Sequence, residues 1–289
     1  MVVVGDAAFD VIATHNRQLV HGDDVRARIG FSAGGAAANT AAWLAHHGVD
    51  VTLVSRIGAD LAGRQAREEL TAGGVRCVFT VDPDAATGCV VALVDGDGQR
   101  SMLSDRGANA RLRGADLEAA VLAGAAHLHL SGYVLLDPSS RPAGTAVLAM
   151  AREAGLTTSV DPQVASMITD PAGYLELIDG VDLFLPNTAE LAVLTGSRDP
   201  ASARSLLDRV GAVAVTAGAD GAGWVDRDGV VSVPAEPVRV LDSTGAGDAF
   251  DAGLLGAWLA GASPTEALVA GVRAGALATT QVGARPPRG

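Results

Sequence analysis

Leu241-Asp242-Ser243-Thr244-Gly245-Ala246-Gly247-Asp248-Ala249-Phe250-Asp251-Ala252-Gly253 is the stretch on which the reading of this chain turns. The run Val238 to Leu241 predicts a strand that enters a glycine-rich turn, and the turn opens a long apolar helix. Three consecutive small residues, Gly245, Ala246 and Gly247, let backbone N–H groups converge where the orphan donors and dipole of a helix N-terminus favour an anion. Asp248 falls in the first turn of that helix. A carboxylate is a poor neighbour for a bound phosphate unless it takes a proton from the hydroxyl that attacks the phosphorus, so the pair reads as an anion hole with a general base. The same residues would also suit a plain strand-to-helix turn in which Asp248 only steadies the helix dipole.

Around this stretch, short β-branched runs alternate with longer Ala- and Leu-rich periodic segments. That alternation predicts an α/β fold, a doubly wound, mostly parallel sheet with helices on both faces. Strands are expected at Val2 to Val4, Val51 to Val54, His127 to Leu130, Thr157 to Val160, Leu183 to Leu185 and Val213 to Thr216. Helices are expected at Gly35 to His47, Asp60 to Ala72 with Asp60 as N-cap, Arg141 to Ala154, Ser202 to Arg209, Gly247 to Ala260 and Pro264 to Thr280. Two stretches break the pattern and read as β-hairpins: Gly88 to Val94 with Gln99 to Ser104, and Gly223 to Asp226 with Val230 to Val233. The first hairpin and the irregular segment Val11 to Phe31 lack an obvious helical cover, and they are expected to form a small accessory sheet. No repeat or flexible linker divides the chain, so residues 1–289 read as one domain. The tail Ala284 to Gly289, with two prolines, reads as loose.

Composition sets limits on the chemistry. The 289 residues include 33 acidic and 21 basic ones, and every basic residue is arginine. With no lysine there is no G-x-x-x-x-G-K-[ST] phosphate loop, no Schiff base and no lysine nucleophile. The formal charge of −12 disfavours nucleic acid and anionic membrane as partners and favours a small molecule. Aromatic residues are only 3% of the chain, so the interior must be built from Ala, Val and Leu with glycines allowing close approach. Cys77 and Cys89 give neither a disulfide framework nor a zinc spacing. Met1 to Asp10 lacks the features of a signal peptide, and no apolar run is long enough to span a bilayer, so a cytoplasmic protein is expected.

Three ordered motifs carry a family resemblance. Asp242 to Phe250 resembles the C-terminal signature of the ribokinase-like, or PfkB, carbohydrate kinases, and Gly34-Gly35-Ala36-Ala37-Ala38-Asn39-Thr40-Ala41 resembles their N-terminal glycine signature. Asn187-Thr188-Ala189-Glu190 matches the family's N-x-x-E element between them. The resemblance runs in order from Val2 to about Gly283 and implies an ATP- and Mg²⁺-dependent kinase for a hydroxymethyl group of a sugar or nucleoside. It makes Asp248 the catalytic base and the amides of Gly245, Ala246 and Gly247 the anion hole for the transferring phosphoryl group. It assigns Asn187 and Glu190 to Mg²⁺, through water, and to the nucleotide. Thr216, Gly218 and Gly221, in Thr216-Ala217-Gly218-Ala219-Asp220-Gly221, match a nucleotide-contacting turn. Asp10, Gly34, Gly35 and Asn39 would hold the acceptor, with Asp6 less certain. Asp242 and the carbonyl of Thr244 match positions that bind a monovalent cation such as K⁺ in some members. Arg106, after the first hairpin, matches an arginine near the transferred phosphate, and in a chain without lysine it is the expected mobile cation. Segments of approximately 11–31 and 88–106 would form a lid that closes over the acceptor and pairs with a second subunit.

One departure bears on the acceptor. Ribokinases proper carry a lysine where this chain has Ala36, which favours other sugars or nucleosides over ribose. A nucleoside such as pseudouridine remains open through the Ser131-Gly132-Tyr133 and Ser104 to Asn109 runs. A sugar phosphate remains open through the cations Arg26, Arg28, Arg100 and Arg106. In a different class, a nucleotide- or sugar-binding regulatory protein without turnover would keep the fold, although such a binder gains nothing from a base beside the phosphates. A dinucleotide-dependent dehydrogenase is excluded, because Gly5-Asp6-Ala7-Ala8-Phe9 follows the first strand in place of G-x-G-x-x-G. His127 and His129 share one strand face but lack a third metal ligand. Asp161 stands at a C-terminal strand edge, where α/β sheets bind ligands.

Overall fold

Val2–Val4 (β1) is three buried valines in a row, the mark of a strand covered on both faces. In the computed structural model, which describes residues 1–16, 20–96 and 100–287, it lies inside the main sheet between Thr52–Gly58 (β4) and His127–Ser131 (β8), parallel to both. Between β1 and β4 come Ala8–His15 (β2), Ala27–Gly34 (β3) and the helix Ala36–His46 (α1). After β4 follow Leu61–Ala72 (α2), Arg76–Asp82 (β5), Gly88–Val94 (β6), Arg100–Asp105 (β7) and the short Ala119–Leu122 (α3), which leads into β8. The second half continues with Tyr133–Leu136 (α4), Arg141–Glu153 (α5), Thr157–Asp161 (β9), Pro171–Leu177 (α6) and Leu183–Phe184 (β10). Thr188–Thr195 (α7), Ala212–Thr216 (β11), Ala222–Val225 (β12), Val230–Val233 (β13), Ala246–Leu259 (α8) and Pro264–Thr279 (α9) complete the order.

The main sheet has nine strands in the order β13-β12-β11-β10-β9-β8-β1-β4-β5, parallel except for the β12–β13 edge. Alternate strand residues feed two cores. Val2, Val4, Val213 and Val215 pack with α4 to α7, while Val3, Leu53 and Ala214 pack with α1, α2, α8 and α9 around Trp43, Phe250 and Leu268. This is the doubly wound α/β fold expected from the alternation. It brings the C-terminal ends of β9, β10 and β11 and the N-termini of α7 and α8 to one edge.

The second sheet has the order β3-β2-β6-β7, with β2 and β6 parallel and both outer pairs antiparallel. It is the accessory sheet expected, but, with residues 17–19 outside the described residues, the two ends of the Val11 to Phe31 segment are strands: β2 and β3 pair over eight residues each. Their alternation was masked by apolar side chains left exposed on one face, Ile29 and Phe31 on β3 and Leu103 on β7. Two further expectations fail. Ser202 to Arg209 is not an α-helix; the turn there is a 3₁₀ segment, Pro200–Leu206, started by Pro200 and capped by Asp199. Val238 to Leu241 forms no strand: the Leu241 N–H donates to the Thr279 carbonyl, and Val240 and Leu241 are exposed. Residues 97–99 of the hairpin turn and 288–289 of the tail lie outside the described residues.

Candidate active site

Gly245 ends the loop before α8 in the left-handed region, φ +74°, which a glycine adopts without strain. A Cβ there would also meet Ala284, 2.6 Å from its Cβ and 2.7 Å from its Cα, so turn and tail are in contact. Among the described residues no side chain caps α8, and its first N–H groups therefore remain as donors at the edge of an open cleft. That cleft is lined by Gly245, Ala246, Gly247 and Asp248 from α8, Asn187 and Glu190 from α7, and Thr216 from β11. Of the expected anion-hole amides, that of Ala246 also makes a long 3.3 Å bond back to the Ser243 carbonyl.

Asp248 is buried between the cleft and the residues expected to hold the acceptor. Its Oδ2 accepts from Asn39 Nδ2 at 2.8 Å. Burial pushes the carboxyl up to about 7; the Asn39 bond and Arg285 pull it down, and Asp10 pushes it further up. A base with that value is half ionised near neutrality, where general-base catalysis is most effective. The Oδ1 of Asn39 is buried with no partner among the described residues, so it can accept from a hydroxyl placed there. Asp10 lies against Gly34, whose Cα it approaches so closely that any side chain at 34 would collide with its carboxylate. Burial raises Asp10 to about 6, with Arg285 opposing. Gly35 precedes α1, whose N-terminus follows.

Asn187 caps α7. Its Oδ1 accepts from the N–H groups of Ala189 and Glu190, and Glu190 returns both oxygens, to the Asn187 backbone at 2.8 Å and to its side-chain amide at 2.6 Å. Glu190 is 1% exposed, so it is no helix-surface residue, and burial raises it to about 7 against the pull of Asn187. Thr216 bridges to Asn187 in parallel. Gly218 and Gly221 lie on the turn after β11 and are not among the residues lining the cleft.

Sequence reasoning did not single out Asp251 or Gln163. Asp251, one turn beyond Asp248, hydrogen-bonds Asp161, and burial raises both carboxyls well above the ordinary range. Gln163 holds Asp161 through its backbone N–H at 2.9 Å and Nε2 at 2.6 Å. It does so at φ +73°, a strain of about 1–3 kcal/mol for a non-glycine residue that the cleft sustains. The signal for Asp251 was in the opening stretch, a second acid on the same helix face, masked by an otherwise apolar run.

Arg106 is not a mobile cation in this structure. It grips Asp6 with Nε and Nη2, at 3.2 and 2.7 Å, and reaches Asp137 at 2.8 Å through Nη1, with its side chain 13% exposed. These carboxylates hold it in its charged form despite burial. The start of the tail, Gly283 to Arg285, is not loose either. Trp43 Nε1 donates to the Ala284 carbonyl at 3.0 Å, Gly283 N–H donates to Asp242 Oδ2 at 3.0 Å, and Arg285 reaches the Gly34 carbonyl at 3.3 Å. Asp242 also accepts from the backbone and hydroxyl of Thr244. Arg28 shares a lid face with Asp10, since Asp10 pairs with Ser32 and Thr14 with Arg28, whereas the side chain of Arg100 lies outside the described residues. His127 and His129 are buried on the hydroxyls of Thr157 and Ser159, and burial lowers both, to about 3 and about 4, as core groups.

The donor set of the cleft fits a magnesium–nucleotide complex. Glu190, Asp161 and Asp251 offer hard oxygen ligands whose raised values a divalent cation would relieve, and Asp251 Oδ2 is buried without a hydrogen-bond partner among the described residues. Among those residues no group of three such side chains is arranged to hold a metal ion.

A doubly wound sheet with a second, small sheet and a buried aspartate in the first turn of an uncapped helix suits a phosphotransferase with an alcohol group as acceptor. The chain belongs to the pfkB family of carbohydrate kinases, whose family model matches residues 1–288. It is 34% identical to an ATP-dependent ribose-1-phosphate kinase of Halopiger xanaduensis over 256 residues, 88% of this chain and 82% of the other. Its structure matches that of an adenosine kinase from Sinorhizobium meliloti with TM-score 0.90 and 25% identity, over 99% of this chain and 95% of that one. A putative ribokinase II from E. coli, solved in complex with ATP and Mg²⁺, matches with TM-score 0.86 and 25% identity, over 98% and 93%. The protein is therefore a sugar or nucleoside kinase of this family, whose kinases use ATP with Mg²⁺. Among the described residues no helix is long and apolar enough to cross a membrane.

Proposed function

We propose that the chain transfers the γ-phosphoryl group of ATP to a hydroxymethyl group of a sugar or nucleoside, with Asp248 as general base. The observation that carries this reading is the placement of Asp248: in the first turn of an uncapped helix, bonded to Asn39, with a pKa near 7. The N-terminal amides of α8, from Gly245 to Gly247, neutralise charge on the transferring group. Asn187 and Glu190 order the waters of Mg²⁺, and Thr216 borders the nucleotide. Asp10, Gly34, Gly35 and Asn39 orient the acceptor so that its hydroxyl gives its proton to Asp248 Oδ. The test is ADP release with ATP and Mg²⁺ across pentoses, hexoses, nucleosides and sugar phosphates. Acceptor-dependent release is expected for at least one class, and a uniformly silent panel from a nucleotide-binding protein would favour the regulatory alternative.

A sugar-phosphate acceptor is a second reading, favoured by the guanidinium of Arg285 at the acceptor end and Arg28 on the Asp10 face of the lid, together with the name of the haloarchaeal relative. A monovalent cation at Asp242 and the Thr244 carbonyl is part of the proposal; replacing K⁺ by tetramethylammonium should lower turnover severalfold. The exposed Ile29, Phe31 and Leu103 share one lid face, opposite Asp10, and support pairing with a second copy. Light scattering should then show a dimer that Phe31→Asp converts to monomer.

A further inference from the structure

Arg285 belongs to none of the sequence motifs, yet three observations place it at the heart of the site. Its Nη2 donates to the carbonyl of Gly34, and the Asp10 carboxylate packs on the Cα of that glycine, so guanidinium, turn and carboxylate are consecutive layers. Its Nε is buried without a hydrogen-bond partner among the described residues. The strand of tail that carries it is fixed on both sides: Ala284 sits against Gly245 and under the Trp43 indole, and Gln281 Nε2 donates to the Arg285 carbonyl at 2.7 Å. Lysine is absent from the chain, and Arg106 is held by Asp6 and Asp137.

The groups that act on Arg285 come from four elements: Glu69 on α2, Asp10 on β2, Asp248 on α8 and Cys77 on β5. Asp248 is in turn faced by Asn39 on α1 and Asp10, and it lies in the field of Asp161 on β9, Asp251 on α8 and Tyr133 on α4. Buried Asp248 and half-buried Asp10 raise the cost of ionising one another, and a nearby cation offsets part of that cost. Burial lowers the guanidinium only to about 10, so it remains a cation at neutral pH.

We infer that Arg285 is a positioning residue of the proposed phosphoryl-transfer site: it fixes the Gly34 turn beneath Asp10 and supplies positive charge that offsets the repulsion between Asp10 and Asp248. The inference rests on Asp248 being the base, so its test reads the carboxylate without any acceptor. Carbon-13 carboxyl NMR of the aspartate-labelled protein is titrated with pH, the Asp248 signal being assigned by its loss in Asp248→Asn. In Arg285→Met and Arg285→Gln the Asp248 midpoint is expected to rise by about half a unit or more, and in Arg285→Lys to stay near the wild-type value. Ligating a C-terminal peptide that carries citrulline at position 285 keeps the shape and removes the charge, so the test survives if the other neutral variants do not fold. With an acceptor that the wild type turns over, the acid limb of kcat should move to higher pH by the same amount, while the KM for ATP stays within about twofold. A merely structural role would lower the melting temperature and leave the midpoint in place. An unmoved midpoint in the folded neutral proteins, or a rise in Arg285→Lys equal to theirs, overturns the inference. A wild type that phosphorylates nothing would remove the base assignment and leave this titration readable.

Discussion

Two helix N-termini border the same cleft, and they are finished in opposite ways. At α7 the early donors meet side chains: Asn187 takes two N–H groups, and Glu190 folds back onto Asn187. At α8 the N-cap is a left-handed glycine with no side chain, and the first turn is left for something else to satisfy. Both termini carry the same favourable dipole, so the dipole does not decide where an anion sits. What decides is whether the donors are already occupied. The closed terminus presents a carboxylate to the cleft, suited to a hydrated cation. The open one presents amides, suited to the phosphoryl group that cation accompanies.

Mutations can break this contrast. The largest effect should come from Asp248→Asn, which keeps shape and removes the base: kcat is expected to fall by about 10³-fold or more, with nucleotide affinity nearly unchanged by calorimetry. Near-wild-type turnover would sink the base assignment. Gly245→Ala is expected to come next. The new methyl must displace Ala284 at a backbone angle that alanine resists, so the amides shift and kcat falls by about 10²-fold, with a lower melting temperature. Should activity survive while stability drops, the Gly245 turn has a structural role only. Glu190→Gln retains a capping-box side chain and loses the charge; the Mg²⁺ concentration for half-maximal activity is expected to rise by about tenfold.

The smallest effect sharpens the contrast through stability. Asp10, Asp248 and Glu190 have folded-state values raised to about 6, 7 and 7. Between the ordinary carboxylate range near 4 and about 7, the folded protein therefore holds protons that the unfolded chain has released. Their contribution to stability is fully present below that window and is lost as pH rises through it. Without nucleotide or metal, the melting temperature should be lower at pH 8 than at pH 5.5. Asp248→Asn should recover part of the difference at pH 8, about 2–4 °C for each kcal/mol relieved, and little at pH 5.5. Equal melting temperatures at both pH values would show these carboxylates to be ordinary.

Local chemistry explains why part of the fold and the site is legible in the amino-acid sequence. Asp60 precedes an amphipathic segment and caps it through Gly63, as its residue type and position predict. Gly245 to Asp248 suits an anion site and a plain turn alike, and it becomes legible only beside the two other ordered motifs, Gly34 to Ala41 and Asn187 to Glu190. The lid strands are obscured because their alternation leaves Phe31 and Leu103 facing solvent, which reads as irregular chain in a pattern that assumes apolar means inside. The sequence places Arg106 beside the site but leaves it free, since nothing near it in the chain shows that Asp6 and Asp137 will converge on it. Arg285 is illegible for the same reason: its meaning lies in partners on β2, β3 and α8, and a proline-flanked tail looks alike whether docked or not.

The bond between Asn39 and Asp248 joins residues 209 apart, and the bond from Arg285 to the Gly34 carbonyl joins residues 251 apart. Neighbouring strands and helices gain their contacts from short chain closures, whereas these two links require most of the molecule to have condensed first. Catalytic competence is therefore among the last properties the chain acquires. In refolding from denaturant, far-UV circular dichroism should recover ahead of turnover, and the interval between them measures how long a nearly complete molecule waits for its two ends to meet.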